Sequence, residues 1–589
     1  MQKITFPRVS LWLVGLMFVV PFLGYHHRLP IPSFYGEWIA VALGLAASSL
    51  FVFKEYWRGM ELPAIAMVPL GLIVILLAQL FTGKIVFPEH SVMAASYLLW
   101  AVLLMMLGGV LRRKLGWEEV VTTLAWFLLV GGMLNAVIGV LQYFKIPSLF
   151  DPVIIKSSRL VFANLGQPNH FSDYIGLSIG SLVYLYARRH LSVVLAVPLL
   201  ALLLLAFSFS GSRGTWVYIG GLIVLSLYFL KGRQKENRVI AVVAALLVPG
   251  FILAQYGSSL LSASLSTPTD NLFNLAGSRS DRLALWGEAW QIFLRAPLLG
   301  VGLGEFVWHH IMSSQWVPEV VRGGLYNHTH NIVMQLLVEM GVFAALLLIV
   351  GAGLWLRRVM RQERTPDNWW LLALLSILAI HSMLEYPLWY AYFLGIAAIL
   401  LGAGEMKGFS LKMQRVGPGI FALVLLMGGG SLGNLLVSYN SLEATMYERS
   451  SLVLSKEGSK EFIGALMRIH SDSLLAYYVE MAFTRGIALE RENLAGKLEL
   501  NARVMHYAPI NEMVYRQAVL LGLNGDNDGA KKMLDVAVAA YPKDLPIAIK
   551  VLRRRVMSEP AFFPLLSYAE SKVPLVSAVS GVGSDKVSN

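Results

Sequence analysis

Tyr326-Asn327-His328-Thr329-His330-Asn331 sets two imidazoles and two carboxamides directly before an apolar run, Ile332 to Trp355. A helix of about 20 apolar residues crosses the ~30 Å hydrocarbon core of a bilayer. The histidines therefore stand where a membrane helix surfaces, within reach of a lipid-borne group and a water-borne one. Neutral imidazole, with an ordinary pKa of ~6.5, is the side chain best suited to accept a proton near neutrality. His330 adjoins the span and is the first candidate base; His328 is the second. An interfacial histidine that only hydrogen-bonds a headgroup is the other reading of each.

The cationic candidates belong to the same face. Arg213, in Phe209-Ser210-Gly211-Ser212-Arg213-Gly214, occupies a tight turn without a carboxylate close in sequence. A guanidinium there can grip phosphate through two parallel hydrogen bonds; snorkelling at a helix end is the alternative. Arg279 and Arg282 share one face if their segment is helical. Asp281 could neutralise one of them, and Trp286, one turn on, would anchor Arg282.

Polar groups also flank two other spans. Gln167-Pro168-Asn169-His170 opens one, with proline suited to the first helical position and Gln167 and Asn169 able to contact a sugar. Helix capping alone would account for Asn169. His381 and Glu385 are four apart, so a helix puts them on one face, where ionisable groups in a span are functional candidates. Their pairing with each other as scaffold is the plainer reading. Tyr386 sits at the break before Pro387, while Trp389, Tyr390 and Tyr392 fit an interfacial aromatic belt. Asp270, Asp281, Glu288, Glu305 and Glu319 are dispersed, so the expected chemistry needs no metal and no cofactor; a His328/His330 metal pair is the alternative.

These residues need a membrane frame. The chain has 589 residues, 56% hydrophobic and 14% charged, against ~25% charged in soluble domains. It reads as an all-α polytopic membrane protein. The net charge of +12 calls for no nucleic acid, because its placement explains it. Apolar spans fall near 10–24, 35–53, 64–81, 90–111, 118–144, 171–187, 191–209, 214–230, 238–255, 332–356, 369–386, 388–403 and 418–437, about thirteen in all. Lys and Arg crowd alternate loops, as at Arg112-Arg113-Lys114, Lys231 to Arg238 and Arg357 to Arg364. The other short loops carry Arg28, Lys84, Lys145, Lys156, Arg159 and Arg213. The positive-inside rule then puts the N-terminus inside and the C-terminus outside. The first span lacks a convincing cleavage site near Gly24-Tyr25-His26, so it reads as a retained helix. With no cysteine, thiol and disulfide chemistry are excluded.

Residues 1–437 read as the transmembrane domain, with long outer loops at about 145–170 and 256–331. Trp286, Trp290, Phe293 and Leu294 recur at helical spacing, as in an amphipathic helix lying on the membrane. Gly300-Val301-Gly302-Leu303-Gly304 lacks the strand–turn–helix setting of a dinucleotide site and reads as a flexible turn. Residues 438–572 read as a helical domain with one tetratricopeptide-like hairpin around Ala518, Leu521, Gly522, Ala530, Leu534, Ala537 and Tyr541-Pro542. It is either a cap or a peptide-binding module. The small, polar tail 573–589 reads as disordered.

Together these blocks resemble the bacterial O-linked oligosaccharyltransferases of the pilin-glycosylating (PglL) type, in the superfamily of O-antigen ligases and polymerases. The resemblance rests on Asn164 to His170, Ser210 to Gly214, Arg282-x-x-x-Trp286 with Pro297 to Gly302, His328 to Asn331 with Glu339-Met340-Gly341, and His381 to Tyr390. It implies an undecaprenyl-diphosphate-linked oligosaccharide as donor. The acceptor would be a Ser or Thr hydroxyl of a periplasmic, pilin-like protein, and the active site would lie on the periplasmic face of the inner membrane. By matching position His330 is the essential histidine, with Tyr386 and Gln167 in support. Arg213 with Arg279 or Arg282 would hold the diphosphate, and His328, His170, Asn169, His381 and Glu385 would assist. The nearest alternative is an O-antigen ligase or polymerase with a glycan acceptor. A lipid-linked glycan transporter would need polar groups at mid-membrane on broken helices, whereas here they gather at the outer surface.

Overall fold

The computed structural model describes residues 5–156, 161–261, 267–273, 278–313, 325–448 and 456–573. The first block of helices is α1 (Phe6–Met17), α2 (Phe34–Ser48), α3 (Met67–Phe81), α4 (Pro88–Leu115), α5 (Trp117–Tyr143), α6 (Pro168–Ala187), α7 (Val193–Phe209), α8 (Gly214–Phe229) and α9 (Glu236–Leu261). Three helices precede the next long span: α10 (Pro268–Phe273), α11 (Ser278–Arg295) and α12 (Phe306–Ser313). Then come α13 (Ile332–Met360), α14 (Pro366–Ser382), α15 (Ala391–Gly404) and α16 (Gly417–Glu448). The C-terminal set is α17 (Lys456–Asp472), α18 (Ala476–Gly486), α19 (Leu494–Tyr507), α20 (Asn511–Leu523), α21 (Asn527–Ala540), α22 (Leu545–Ser558) and α23 (Phe563–Ser571). Strand pairing among the described residues is confined to one short antiparallel ribbon, Glu61–Pro63 with Gly408–Ser410.

Among the described residues eight helical segments are long and apolar enough to cross a membrane. The remaining expected spans fall on α6, α7, α8, α14 and α15, of 14 to 20 residues. The chain is an all-α, multi-pass membrane protein. Its main core joins α1, α2, α4 to α9, α14 and α15, with Trp369, Trp370, Tyr174 and Tyr184 fully enclosed. Local signals set the helix starts that matter here. Pro168 occupies the first turn of α6 after an extended Gln167. Asn331 caps α13 by accepting from the backbone N–H of Val333 and Met334 at 3.0 and 3.1 Å.

α13 is broken. Gly341 has φ +81°, and a Cβ there would meet Leu298 O at 2.1 Å. The freed backbone groups pair with the glycine-rich run. Val301 and Gly302 N–H donate to Val338 and Glu339 carbonyls, and Val342 N–H donates to Pro297 O, at 2.9 to 3.0 Å. Gln79 Nε2 donates to both Leu299 O and Glu339 O at 2.6 Å. The segment expected to be a flexible turn is thus an ordered splice. Gly300, at φ +69°, permits its close approach to Glu339.

The outer aromatic helix expected near Trp286 is α11, but its aromatics divide between two faces. Phe293 is buried, while Trp290, Leu294 and Leu283 are exposed. The expected boundary at 437/438 falls inside α16, which runs through to Glu448. Beyond it, α20 and α21 pack against each other, burying Ala518, Ala530, Leu534 and Ala537. The C-terminal helices dock on α12 through Ile311, Val504, Met505, Met513 and Val536. His506 Nδ1 also lies 2.5 Å from Glu305 Oε2, with its ring stacked on Trp308. The tail expected to be disordered lies, from 574 on, outside the described residues.

Candidate functional site

The loop before α13 is wound tightly around its own hydrogen bonds. His330 takes φ +55°, a conformation rare outside glycine and a marker of local constraint. Its N–H donates to His328 Nδ1 at 2.9 Å. Thr329 N–H donates to Gln335 Oε1 at 2.8 Å, and Thr329 O accepts from Trp286 Nε1 at 2.9 Å. The indole of α11 therefore holds the histidine loop. His328 is buried, and burial, helped by neighbouring His330, lowers its pKa to about 3. It stays neutral with Nδ1 occupied, which makes it a brace for the loop.

His330 points the other way. Its Nδ1 lies 2.8 Å from Glu385 Oε2. A carboxylate at Nδ1 fixes the tautomer and leaves Nε2 with its lone pair available. Glu385 sits past the end of α14 and is held from three sides. Asn169 Nδ2 donates to Oε1 at 3.0 Å, and the guanidinium of Arg282 stands 3.6 Å from the same oxygen. Burial pushes the Glu385 carboxyl up, but the hydrogen bond from His330 and the charge of Arg282 work against it, and the group is held below the usual range. Asn169 is oriented in turn by Ser212 Oγ, which donates to its Oδ1 at 2.8 Å. The Tyr386 ring lies tilted against both histidines, 4.6 Å from the His328 ring and 5.6 Å from that of His330. Burial and the Glu385 charge raise its pKa, so it remains a phenol able to donate.

The fold thus brings together His330, Glu385, Asn169, Arg282, Tyr386 and His328 from α6, α11, α13 and the end of α14. Arg213 follows Ser212 at the start of α8. Gln167 precedes α6, with its Oε1 buried and, among the described residues, without a hydrogen-bond partner. Arg279 lies one turn before Arg282 on α11, but its side chain is outside the described residues. His170 turns inward, packed on Tyr390, Phe393 and His381.

The scaffold pairing of His381 with Glu385 does not form. α14 ends at Ser382, so Glu385 leaves the helical path, and His381 Nδ1 instead lies 2.9 Å from Asp173 Oδ2. Asp173 and Ser212 were not singled out in the sequence. Asp173 had a signal, a carboxylate inside an apolar span one turn after Asn169. Ser212 had only its place beside Arg213. A second buried pair, His310 Nδ1 with Glu288 Oε2 at 2.9 Å, ties α12 to α11.

Chemically, the cluster offers an oriented imidazole, a carboxylate behind its Nδ1, and the Arg282 guanidinium beside that carboxylate. That set suits proton removal from a hydroxyl beside a developing anion.

The O-antigen ligase family matches residues 198–349, which carry Arg213, Arg282, His328 and His330. A family described as the C-terminal part of a virulence factor membrane-bound polymerase matches residues 369–553, which carry Glu385 and Tyr386. Over 456 residues the chain is 25% identical to a general O-oligosaccharyltransferase of Acinetobacter baylyi, covering 76% of this chain and 78% of that protein. It is also 25% identical over 389 residues to a ComP-specific O-oligosaccharyltransferase of the same organism, covering 65% and 69%. The chain is thus similar to the O-antigen ligase family over part of its length and to two O-oligosaccharyltransferases over most of it.

Proposed function

We propose that this protein moves a preassembled glycan from an undecaprenyl-diphosphate carrier to Ser or Thr hydroxyls of a periplasmic, pilin-like protein. The observation that carries the reading is the His330–Glu385 contact, with Arg282 and Asn169 on the same carboxylate. The names of the two relatives support glycan transfer to protein as the class of reaction.

In this reading thirteen spans cross the inner membrane with the N-terminus inside, and the site opens to the periplasm. The polyprenyl tail lies among helices and the diphosphate reaches the loop before α13. Arg213 and Arg282 bind the phosphates, with Arg279 as a further candidate. Nε2 of His330 takes the proton of the acceptor hydroxyl, and the oxygen attacks the anomeric carbon. The bond from that carbon to the diphosphate oxygen breaks, and its electron pair leaves with the diphosphate. One displacement inverts the anomeric configuration, and no step needs a metal. Removing a fixed donor to developing charge costs ~3–4 kcal/mol, and general-base catalysis contributes ~10²–10⁴-fold. Tyr386 and Gln167 orient sugar or phosphate.

The test is glycan transfer to a pilin-like acceptor by purified wild type, His330→Ala and Arg213→Ala. Both variants should lose transfer, and full activity in His330→Ala would remove the proposed base. The O-antigen ligase match supports a second reading in which the acceptor is a sugar. Supplying acceptor protein and lipid A core side by side separates the two.

A further inference from the structure

We propose that Asp173 and His381 are positioning residues that aim Glu385 at His330, an inference that rests on the transfer reading above. Asp173 stands one turn after Asn169 on α6, and His381 stands in the last turn of α14, four residues before Glu385. His381 Nδ1 is 2.9 Å from Asp173 Oδ2, and Asn169 Nδ2 is 3.0 Å from Glu385 Oε1. These contacts are successive rungs between α6 and the end of α14. The backbone makes the link direct, because the N–H groups of Leu384 and Glu385 both donate to His381 O, at 2.9 and 2.7 Å. The place where the His381 side chain is held therefore sets where α14 stops and how Glu385 leaves it.

Stability does not explain this deeper rung. The His381 and Asp173 side chains are 1% and 0% exposed. Their contact is close but off the hydrogen-bonding line. Among the described residues neither Asp173 oxygen and neither His381 nitrogen has an aligned partner. Polar groups inside a membrane bundle are costly. A buried ion pair is often no more stabilising than packed apolar residues of similar volume. The rings of His170, Phe393 and Tyr218 surround His381 at centroid distances of 5.5, 6.0 and 6.5 Å and keep it in place. A rigid support beneath Glu385 serves a site whose geometry must hold to about 0.5 Å.

The experiment compares His381→Leu, Asp173→Leu and His381→Asn in the purified full-length protein, each alone and combined with Glu385→Gln. Three quantities are read: thermal midpoint, kcat with donor KM, and the rate at which diethyl pyrocarbonate modifies His330, measured by peptide mass spectrometry without substrate. The leucine variants should keep their thermal midpoint and donor KM but lose ~10–100-fold in kcat, as expected for a sub-ångström to ångström misplacement. His330 should react more slowly, to the level seen in Glu385→Gln. His381→Asn, which keeps a polar nitrogen beside Asp173, should recover most of both. In the Glu385→Gln background His381→Leu should cost nothing more, because both act through one carboxylate. Leucine variants with unchanged kcat and His330 reactivity, or losses that add fully to Glu385→Gln, overturn the proposal. A wild type that transfers no glycan overturns the transfer reading instead, and His330 reactivity then decides the rung by the same comparison.

Discussion

His330 Nδ1 and Glu385 Oε2 meet at 2.8 Å although 55 residues separate them in the chain. The histidine comes from the loop that starts α13, and the carboxylate from the turn that ends α14. Neither helix presents the pair alone. Their meeting fixes which imidazole nitrogen faces outward, and so which can take a proton.

Glu385→Gln should retain donor binding and lose kcat. Loss of an orienting carboxylate behind a catalytic histidine costs up to ~10⁴-fold in the serine-protease triad; ~10²-fold or more is expected here. Adding His330→Ala to Glu385→Gln should cost little beyond His330→Ala alone. Steady-state transfer kinetics on wild type and the three variants check this. Independent, additive losses would show that the two residues do not act as a unit.

His328 gives a pH signature in stability. Burial holds its native pKa at about 3, against ~6.5 in an unfolded chain. Between those values the unfolded state binds a proton that the native state does not, so stability falls as pH drops through this window. The slope reaches ~1.4 kcal/mol per pH unit. Thermal midpoints in detergent at pH 7.5 and 5 should therefore fall less for His328→Gln than for wild type. Equal falls would place the responsible group elsewhere.

Gly341→Ala should destabilise by more than the ~1–2 kcal/mol that left-handed backbone strain alone imposes, since the new Cβ meets Leu298 O at 2.1 Å. Gly353→Ala, on the same helix with nothing within 4 Å, should be neutral or gain up to ~1 kcal/mol from helix propensity. Chemical denaturation followed by tryptophan fluorescence distinguishes the two.

The chain has no cysteine, so one introduced thiol is a unique label. Asn327→Cys, exposed in the histidine loop, should react with a membrane-impermeant maleimide in intact spheroplasts. Arg189→Cys, exposed at the opposite end of the bundle, should react only after permeabilisation. Labelling of Arg189→Cys alone in intact cells would invert the topology and move the site to the cytoplasmic side.

Much of this protein was legible in its residues one segment at a time. Apolar runs and the placement of Lys and Arg are local properties, so the membrane class and the helices followed from the chain alone. So did the chemical types at His330, Arg213, Arg282 and Glu385. Pairing was not legible. Periodicity relates residues of one helix, and it joined His381 to Glu385. Tertiary structure ended α14 at Ser382, sent Glu385 to His330 and gave His381 to Asp173. The glycine run at 300–304 likewise acquired its role only when a broken α13 exposed backbone groups for it to satisfy. Hydrogen bonds between distant segments depend on where helices stop and which faces meet, and no spacing along the chain encodes that.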